Sequence, residues 1–131
     1  MKIAWLFPGQ ASQKVGMGKD LYENTEIGKS YFSKANEILG YDIKSIIFEG
    51  PEEKLKQTQF TQPSIYIVSV ILGKLMKDNG FEPCMVAGHS LGEYSALAVS
   101  NAFDFETGLS LVKVRAEHMA CLLYTSDAAD E

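Results

Sequence analysis

Two short runs of apolar residues stand out in a chain whose other apolar residues recur mostly every three or four positions. The first run, Ile3–Phe7, ends at Pro8, and the second occupies most of Cys84–His89. Continuous apolar runs of this length are typical of parallel strands that are covered on both faces. The pattern therefore predicts two buried parallel strands.

Helical spacing dominates the residues between these two runs. It extends from about Thr25 to Leu39, and Gly40 follows as a stop signal. A short helix capped by Asp42 and closed by Gly50-Pro51 is expected next. A longer helix is predicted to open at Pro63, which a first turn accepts, and to end near Gly80. Its apolar face is expected to contain Ile65, Val68, Leu72, Leu75 and Met76.

Two more helices are predicted after the second run. One covers Ser90–Ser100, and the other is capped by Asp104 and presents an apolar face of Leu109, Val112, Ala116 and Met119. The order β-α-α-α-β-α-α predicts an α/β fold with parallel strands. Because two strands cannot close a core, we interpret the chain as the opening part of a larger domain. We expect apolar surface to be exposed around Ile65, Leu72 and Met76.

Composition narrows the class of protein only moderately. The chain has 131 residues, 46% of them hydrophobic, and a formal net charge of −5, which suits one globular domain or a piece of one. No apolar segment reaches the ~18–20 residues of a membrane span. Cys84 and Cys121 form no disulfide framework, so a cytoplasmic location is expected. The scattered lysines argue against nucleic acid, and the two isolated histidines give no metal site.

The last eleven residues, 121–131, differ from the rest of the chain. They resemble one reading frame of a transposase-type sequencing adapter, and they are acidic with no basic residue. We therefore interpret residues 121–131 as a non-native tail and residues 1–120 as the genuine domain. Without the tail, 14 acidic residues face 12 basic ones, so the overall acidity carries no functional argument.

The segment Gly88-His89-Ser90-Leu91-Gly92 carries the most specific chemical signal. A serine between two glycines, after an apolar strand and before a helix, is the layout of a nucleophile elbow. Such a turn holds the serine in a strained backbone conformation, and the residues two before and two after it crowd together, which favours glycine. We therefore predict that Ser90 is a nucleophile. The alternative is an ordinary tight turn.

Four segments in order resemble the malonyl-CoA:acyl-carrier-protein transacylase family of acyltransferases. They are Phe7-Pro8-Gly9-Gln10-Ala11-Ser12-Gln13, Thr61-Gln62-Pro63, Gly88–Leu97 and Leu111-Val112-Lys113-Val114-Arg115. The resemblance extends from Met1 to about Met119. It implies an α/β-hydrolase-like core with parallel strands, here truncated before a small inserted subdomain. A start two residues before the first strand favours a stand-alone enzyme over a synthase domain.

The resemblance implies an enzyme that transfers malonyl from coenzyme A to the phosphopantetheine thiol of acyl carrier protein, in fatty-acid biosynthesis. An acyl-serine intermediate on Ser90 would divide this transfer into two steps. No cofactor is implied beyond the coenzyme A thioester substrate and the arm on the partner. The complete protein is expected to be a monomer. The general base of the family is a histidine far downstream, so the fragment itself is expected to be inactive.

The resemblance also assigns roles to individual residues. The backbone N–H groups of Gln10 and Leu91 would form the oxyanion hole, and the guanidinium of Arg115, the only arginine, would bind the malonyl carboxylate. Gln62 is expected near the acyl pocket. His89 is expected beside the site but facing away from the serine, because adjacent strand residues point to opposite faces. His118 is expected on the surface.

Two other functions fit parts of this pattern. A serine hydrolase, such as an esterase or thioesterase, would use the same elbow. A non-catalytic fragment that binds a carrier protein would need no histidine. The carboxylate-binding Arg115 separates the transacylase from the hydrolase, since it predicts acylation by malonyl-CoA far in excess of acylation by acetyl-CoA. Carrier-protein binding that survives Ser90→Ala, without acyl-serine, would favour the binding fragment.

Overall fold

The structure is a computed structural model that describes the backbone of residues 1–130 and the side chains of residues 1–122. In this part of the chain, two strands and seven helices follow one another. They are β1 (Ala4–Phe7), α1 (Lys19–Asn24), α2 (Glu26–Leu39), α3 (Ile43–Glu49), α4 (Glu52–Leu55), α5 (Thr58–Asp78), β2 (Met85–Gly88), α6 (Gly92–Val99) and α7 (Phe105–Asp130). The short helices α1 and α4 were not predicted, because neither has a long enough apolar repeat to be recognised.

The two strands pair in parallel, which confirms the predicted α/β fold. Ala4 lies opposite Met85 and Phe7 lies opposite Gly88, so both strands end at the same edge of the sheet. The pairing continues one residue further, since the His89 N–H donates to the Phe7 carbonyl at 3.0 Å. The turns that follow β1 and β2 are therefore neighbours, and this places Gln10 and Ser90 in the same region.

Helix α5 is the centre of the hydrophobic core. It packs mainly against α7, α6 and α2. Its Tyr66 is fully buried and donates its hydroxyl hydrogen to the Phe105 carbonyl at 2.9 Å, while the Phe105 ring stacks on both Tyr66 and Tyr31. This aromatic stack joins α2, α5 and the start of α7, and so fixes the helix that carries Arg115 against the helix that carries Gln62.

The predicted helix caps are confirmed. Asp42 accepts a hydrogen bond from the Ser45 N–H at 3.2 Å, and Asp104 accepts one from the Thr107 N–H at 2.7 Å. Thr25 caps α2 in the same way, and Gly40 ends that helix with φ of 81°, in the left-handed region. Each of these bonds satisfies a backbone donor that a helix terminus leaves unpaired.

The predicted start of the helix that contains Pro63 was wrong. Helix α5 begins at Thr58, five residues before the predicted start, and Pro63 lies inside it. Proline has no N–H for the carbonyl four residues earlier, here that of Gln59. The Tyr41 hydroxyl lies 3.4 Å from this carbonyl and donates to it. An acceptor left free by the proline therefore has a tertiary partner, which the local sequence does not reveal.

The prediction that both strands are buried on both faces was also wrong. Leu6 is 79% exposed and Met85 is 63% exposed. Helix α6 covers one face, where Phe7 packs against Ala96 and Val99. The described part of the chain has only two strands, and part of their surface remains open to solvent.

The predicted apolar face of α5 is only partly exposed. Leu72 and Met76 are exposed, as expected, but Ile65 is buried, which contradicts the expectation. These three side chains, with Trp5 and Phe7 from β1, line an apolar groove of about 430 Å³ between β1 and α5. The groove does not include Ser90.

Among the described residues, no helix is both long and apolar enough to cross a membrane. The predicted non-native tail at 121–131 falls largely outside the residues whose side chains are described. Its assignment therefore stays a prediction.

Candidate active site

Ser90 lies on the predicted elbow between β2 and α6. Its φ is +54°, which is in the left-handed region that non-glycine residues rarely adopt, so the predicted backbone strain is confirmed. The helix starts at Gly92 rather than at Ser90 as predicted, because a left-handed residue cannot continue a right-handed helix. The turn is closed by the Gly92 N–H, which donates to the His89 carbonyl at 2.9 Å. Ser90 itself is exposed to solvent.

Both glycines of the elbow are required by close backbone contacts. A Cβ on Gly88 would lie 2.1 Å from the carbonyl carbon and oxygen of Gly92. A Cβ on Gly92 would lie 2.1 Å from the Phe7 carbonyl oxygen. The elbow is therefore compressed between its own helix and the neighbouring strand β1, as the spacing of the two glycines predicts.

Arg115, on α7, also contacts the serine. Helix α7 holds its guanidinium so that Nη2 donates to the Ser90 Oγ at 3.2 Å. Its other terminal nitrogen, Nη1, donates to the Gln62 Oε1 at 2.6 Å. The guanidinium also lies over the Tyr94 ring, with Cζ 5.5 Å from the ring centroid, within the range of a cation–π contact. Three residues from two helices and one turn thus orient the only arginine of the chain.

Gln62 continues this contact into a row of polar groups. Its Nε2 donates to the Thr58 hydroxyl at 2.8 Å, and it also lies 3.4 Å from the Met119 Sδ. The Thr58 hydroxyl in turn donates to the Gln10 Oε1 at 3.1 Å. Gln62 is 1% exposed and Thr58 is 6% exposed, so the bond between them is shielded from water, whereas Gln10 at the end of the row is exposed. The row connects the nucleophile turn with the turn after β1.

Two backbone N–H groups near the serine are candidates for an oxyanion hole. Gln10 follows β1 and Leu91 follows Ser90, and both strands end at this edge of the sheet. Outside helices and strands, the described part of the chain has no backbone hydrogen bond in which either N–H is the donor. Free donors aimed at a site where charge develops are the structural requirement of such a hole.

The histidines take no part in this arrangement. His89 is exposed, and its Nδ1 lies beside Gly9, 3.5 Å from where a Cβ on Gly9 would be. Neither His89 nor His118 hydrogen-bonds to Ser90 through its ring among the described side chains, and His118 is exposed, as expected. No group of three or more His, Cys, Asp or Glu residues in this part of the chain is arranged to hold a metal ion.

The structure brings together Ser90, Arg115 and Gln62 as predicted, and adds two residues that the sequence analysis missed. Thr58 precedes Gln62 by four positions, a spacing that puts both on one helix face. This signal was hidden because the helix was predicted to begin only at Pro63. Tyr94 follows Ser90 by four positions, but no sequence pattern indicated that its ring would lie under a guanidinium.

An exposed serine on a strained strand-to-helix turn, hydrogen-bonded to an arginine, defines an α/β protein with an elbow-type serine site. The match to a family model is specific within that class: residues 4–129 match the acyl transferase domain. The chain belongs to the acyl transferase domain family.

Curated relatives narrow the likeness further. The chain is 54% identical over 120 residues to a malonyl CoA-acyl carrier protein transacylase of Synechocystis sp., covering 92% of this chain and 40% of that protein. It is 49% identical over 121 residues to a polyketide biosynthesis malonyl CoA-acyl carrier protein transacylase of Bacillus subtilis, covering 92% and 41%. The chain thus spans about 40% of the length of these relatives.

Solved structures support the same likeness. The crystal structure of the Synechocystis malonyl-CoA:ACP transacylase matches with a TM-score of 0.89 at 54% identity, over 92% of this chain and 41% of that one. A malonyl-transacylase in complex with a type II polyketide acyl-carrier protein matches with a TM-score of 0.83 at 39% identity, over 89% and 38%.

Proposed function

We propose that this chain supplies the nucleophile and the carboxylate-binding group of a malonyl-CoA:acyl-carrier-protein transacylase of fatty-acid biosynthesis, in the cytoplasm. The observation that carries the proposal is the position of Arg115. Its guanidinium lies 3.2 Å from the Ser90 hydroxyl. The Arg115 side chain is half-buried and donates a hydrogen bond to the buried Gln62. A planar guanidinium binds a carboxylate through two parallel hydrogen bonds, and an acyl group on Ser90 would carry its free carboxylate within reach.

The transfer would occur in two balanced steps. The Ser90 oxygen attacks the thioester carbonyl of malonyl-CoA, the carbon–sulfur bond breaks, and coenzyme A leaves as its thiol. The phosphopantetheine thiol of the carrier protein then attacks the ester carbonyl, the carbon–oxygen bond to Ser90 breaks, and the Ser90 oxygen regains its proton. Backbone N–H groups of Gln10 and Leu91 would stabilise the oxyanion of each tetrahedral intermediate. One donor of this kind contributes about 3–4 kcal/mol in a studied protease.

The proton on Ser90 needs a base that the described side chains do not contain within hydrogen-bonding distance of that serine. We assign this role to a histidine in the part of the domain beyond residues 1–120, as the family resemblance implies. A serine without its base is a weak nucleophile, and loss of a triad member costs on the order of 10⁴–10⁶ in rate. Residues 1–120 alone are therefore expected to show little turnover.

An assembled chain tests the proposal. Residues 1–120 replace the matching segment of the Synechocystis relative, which supplies the rest of the domain. The assembled chain should be acylated by malonyl-CoA far faster than by acetyl-CoA and should pass malonyl to acyl carrier protein. Replacing Arg115 by alanine should reduce the malonyl preference on the order of 10²-fold or more, because a desolvated charge pair is lost.

Lys113→Ala is the matched control, since it removes a cation from the same helix two positions away and should leave the preference unchanged. Hydrolysis faster than transfer would instead favour an esterase or thioesterase. Carrier-protein binding that survives Ser90→Ala, without any acyl-serine in the parent, would favour a non-catalytic binding fragment. Either result contradicts the transacylase proposal.

A further inference from the structure

Thr58 occupies an unusual position at the first turn of α5. Its side chain is buried, and its single hydroxyl contacts two residues that belong to different parts of the site. It accepts a hydrogen bond from the Gln62 amide nitrogen at 2.8 Å and donates one to the Gln10 side-chain oxygen at 3.1 Å. Gln62 holds Arg115, and Gln10 lies on the turn after β1, at the sheet edge where both strands end.

The direction of every hydrogen bond in this row follows from Arg115. A guanidinium has donors and no acceptor, so the Gln62 oxygen must face it and the Gln62 NH₂ must face Thr58. The Thr58 oxygen therefore accepts, and its hydrogen is left to donate to the Gln10 oxygen. Only a residue that accepts and donates at one atom can fill this position. A hydroxyl meets the requirement, and an apolar side chain of the same shape does not.

We infer that Thr58 is a positioning residue that couples the anchoring of Arg115 to the placement of the Gln10 turn. This inference rests on the proposed function. Without the hydroxyl, the buried Gln62 amide loses its partner at one N–H and can rotate away from Arg115. At the same time the Gln10 side chain loses its only recorded partner in the described part, and the turn after β1 is held less tightly.

The test uses Thr58→Val and Thr58→Ser in the assembled chain. Valine keeps the branched shape without the hydroxyl, and serine keeps the hydroxyl without the methyl. We expect Thr58→Val to lower the malonyl-to-acetyl acylation ratio about tenfold, because a buried amide is left unpaired. Its kcat for malonyl transfer should also fall. Thr58→Ser should retain both quantities within about twofold.

Thr61→Val is the matched control. Thr61 is also a buried threonine of α5, and its single hydroxyl hydrogen is shared between the Leu55 carbonyl and the Gln57 carbonyl, the latter at 3.0 Å, away from the polar row. It should lose stability, measured as a lower midpoint of unfolding, and keep the parent acyl preference. A Thr58→Val variant that loses stability like Thr61→Val but keeps the parent preference and kcat would show that Thr58 is merely structural.

Gln10→Ala provides a second test of the inference. This substitution does not disturb the hydrophobic core, because Gln10 is exposed. It removes only the last bond of the row, so it should lower kcat while leaving the malonyl-to-acetyl ratio within about twofold. An unchanged kcat would overturn the inference even if Thr58→Val fails to fold. An assembled parent that folds and transfers no malonyl would instead contradict the proposed function, so the two failures are distinct.

Discussion

Replacing Gly88 by alanine tests whether compression of the elbow positions Ser90. The added Cβ would lie 2.1 Å from the Gly92 carbonyl carbon and oxygen and 2.3 Å from the Glu93 nitrogen. Van der Waals contact between such atoms is near ~3.5 Å, so the first turn of α6 must move by more than ~1 Å. All three atoms are backbone, and no side-chain rotation relieves the overlap.

The expected cost is large for a single methyl group. Overpacking against movable side chains typically costs about 1–3 kcal/mol, and here both sides of the contact are backbone. The turn cannot simply move toward β1, because Gly92 already lies against the Phe7 carbonyl. We therefore expect Gly88→Ala to lower the free energy of unfolding by about 3 kcal/mol or more. A shift of ~1 Å at the nucleophile should also slow acylation of Ser90 about 10²-fold.

Urea unfolding of the assembled chain and the rate of Ser90 acylation by malonyl-CoA measure these two effects. Gly80→Ala is the control: its φ is +88°, but no heavy atom lies within 4 Å of an added Cβ. It should cost only about 1–2 kcal/mol from backbone strain and leave acylation unchanged. If Gly88→Ala is as stable as Gly80→Ala and acylates at the parent rate, the elbow is not compressed and the reasoning is refuted.

Two further predictions concern stability. Hydrogen bonds from Ser45 and Thr107 lower the pKa values of Asp42 and Asp104, respectively. The two ionised carboxylates therefore contribute stability above the ordinary carboxyl pKa of about 3.9, and this contribution is lost as the pH falls through the lowered pKa values. As the pH falls below about 4, the melting temperature should decrease. The decrease should be less steep in the double variant Asp42→Asn/Asp104→Asn, and an identical slope would contradict this prediction. Tyr41→Phe should cost about 1 kcal/mol in urea unfolding, because it removes the donor to the Gln59 carbonyl opposite Pro63; an unchanged stability would show that this carbonyl needs no partner.

The elbow could be predicted from sequence because its requirements are local. A strained serine between two crowded glycines is written into five consecutive residues, and the structure has both the left-handed φ and the close contacts. The caps at Asp42 and Asp104 are local in the same sense, since each side chain reaches an N–H three positions later. Local geometry of this kind is visible in a sequence before any tertiary contact is known.

The errors arose where distant residues decide the outcome. Pro63 is tolerated inside α5 because Tyr41, from another part of the chain, donates to the Gln59 carbonyl. Thr58 was missed because the helix was predicted to begin only at Pro63, and its contact with Gln10, 48 positions away, gives no local signal. The non-native character of residues 121–131 also stays a prediction. Reading the source DNA across the codons for Met119, Ala120 and Cys121, from a library made without transposase adapters, checks it.

The long separation between the two paired strands has a consequence for the order of folding. Ala4 pairs with Met85, about eighty positions away, so a long loop must close before the two strands can pair. The contacts of α2 with α1 and with α3 are closer in sequence and need not wait. The strand pair, and with it the contact of Gly92 with β1 that compresses the elbow, therefore forms late. In a refolding experiment followed by hydrogen exchange, amides of α2 should be protected before the His89 amide that bonds to Phe7.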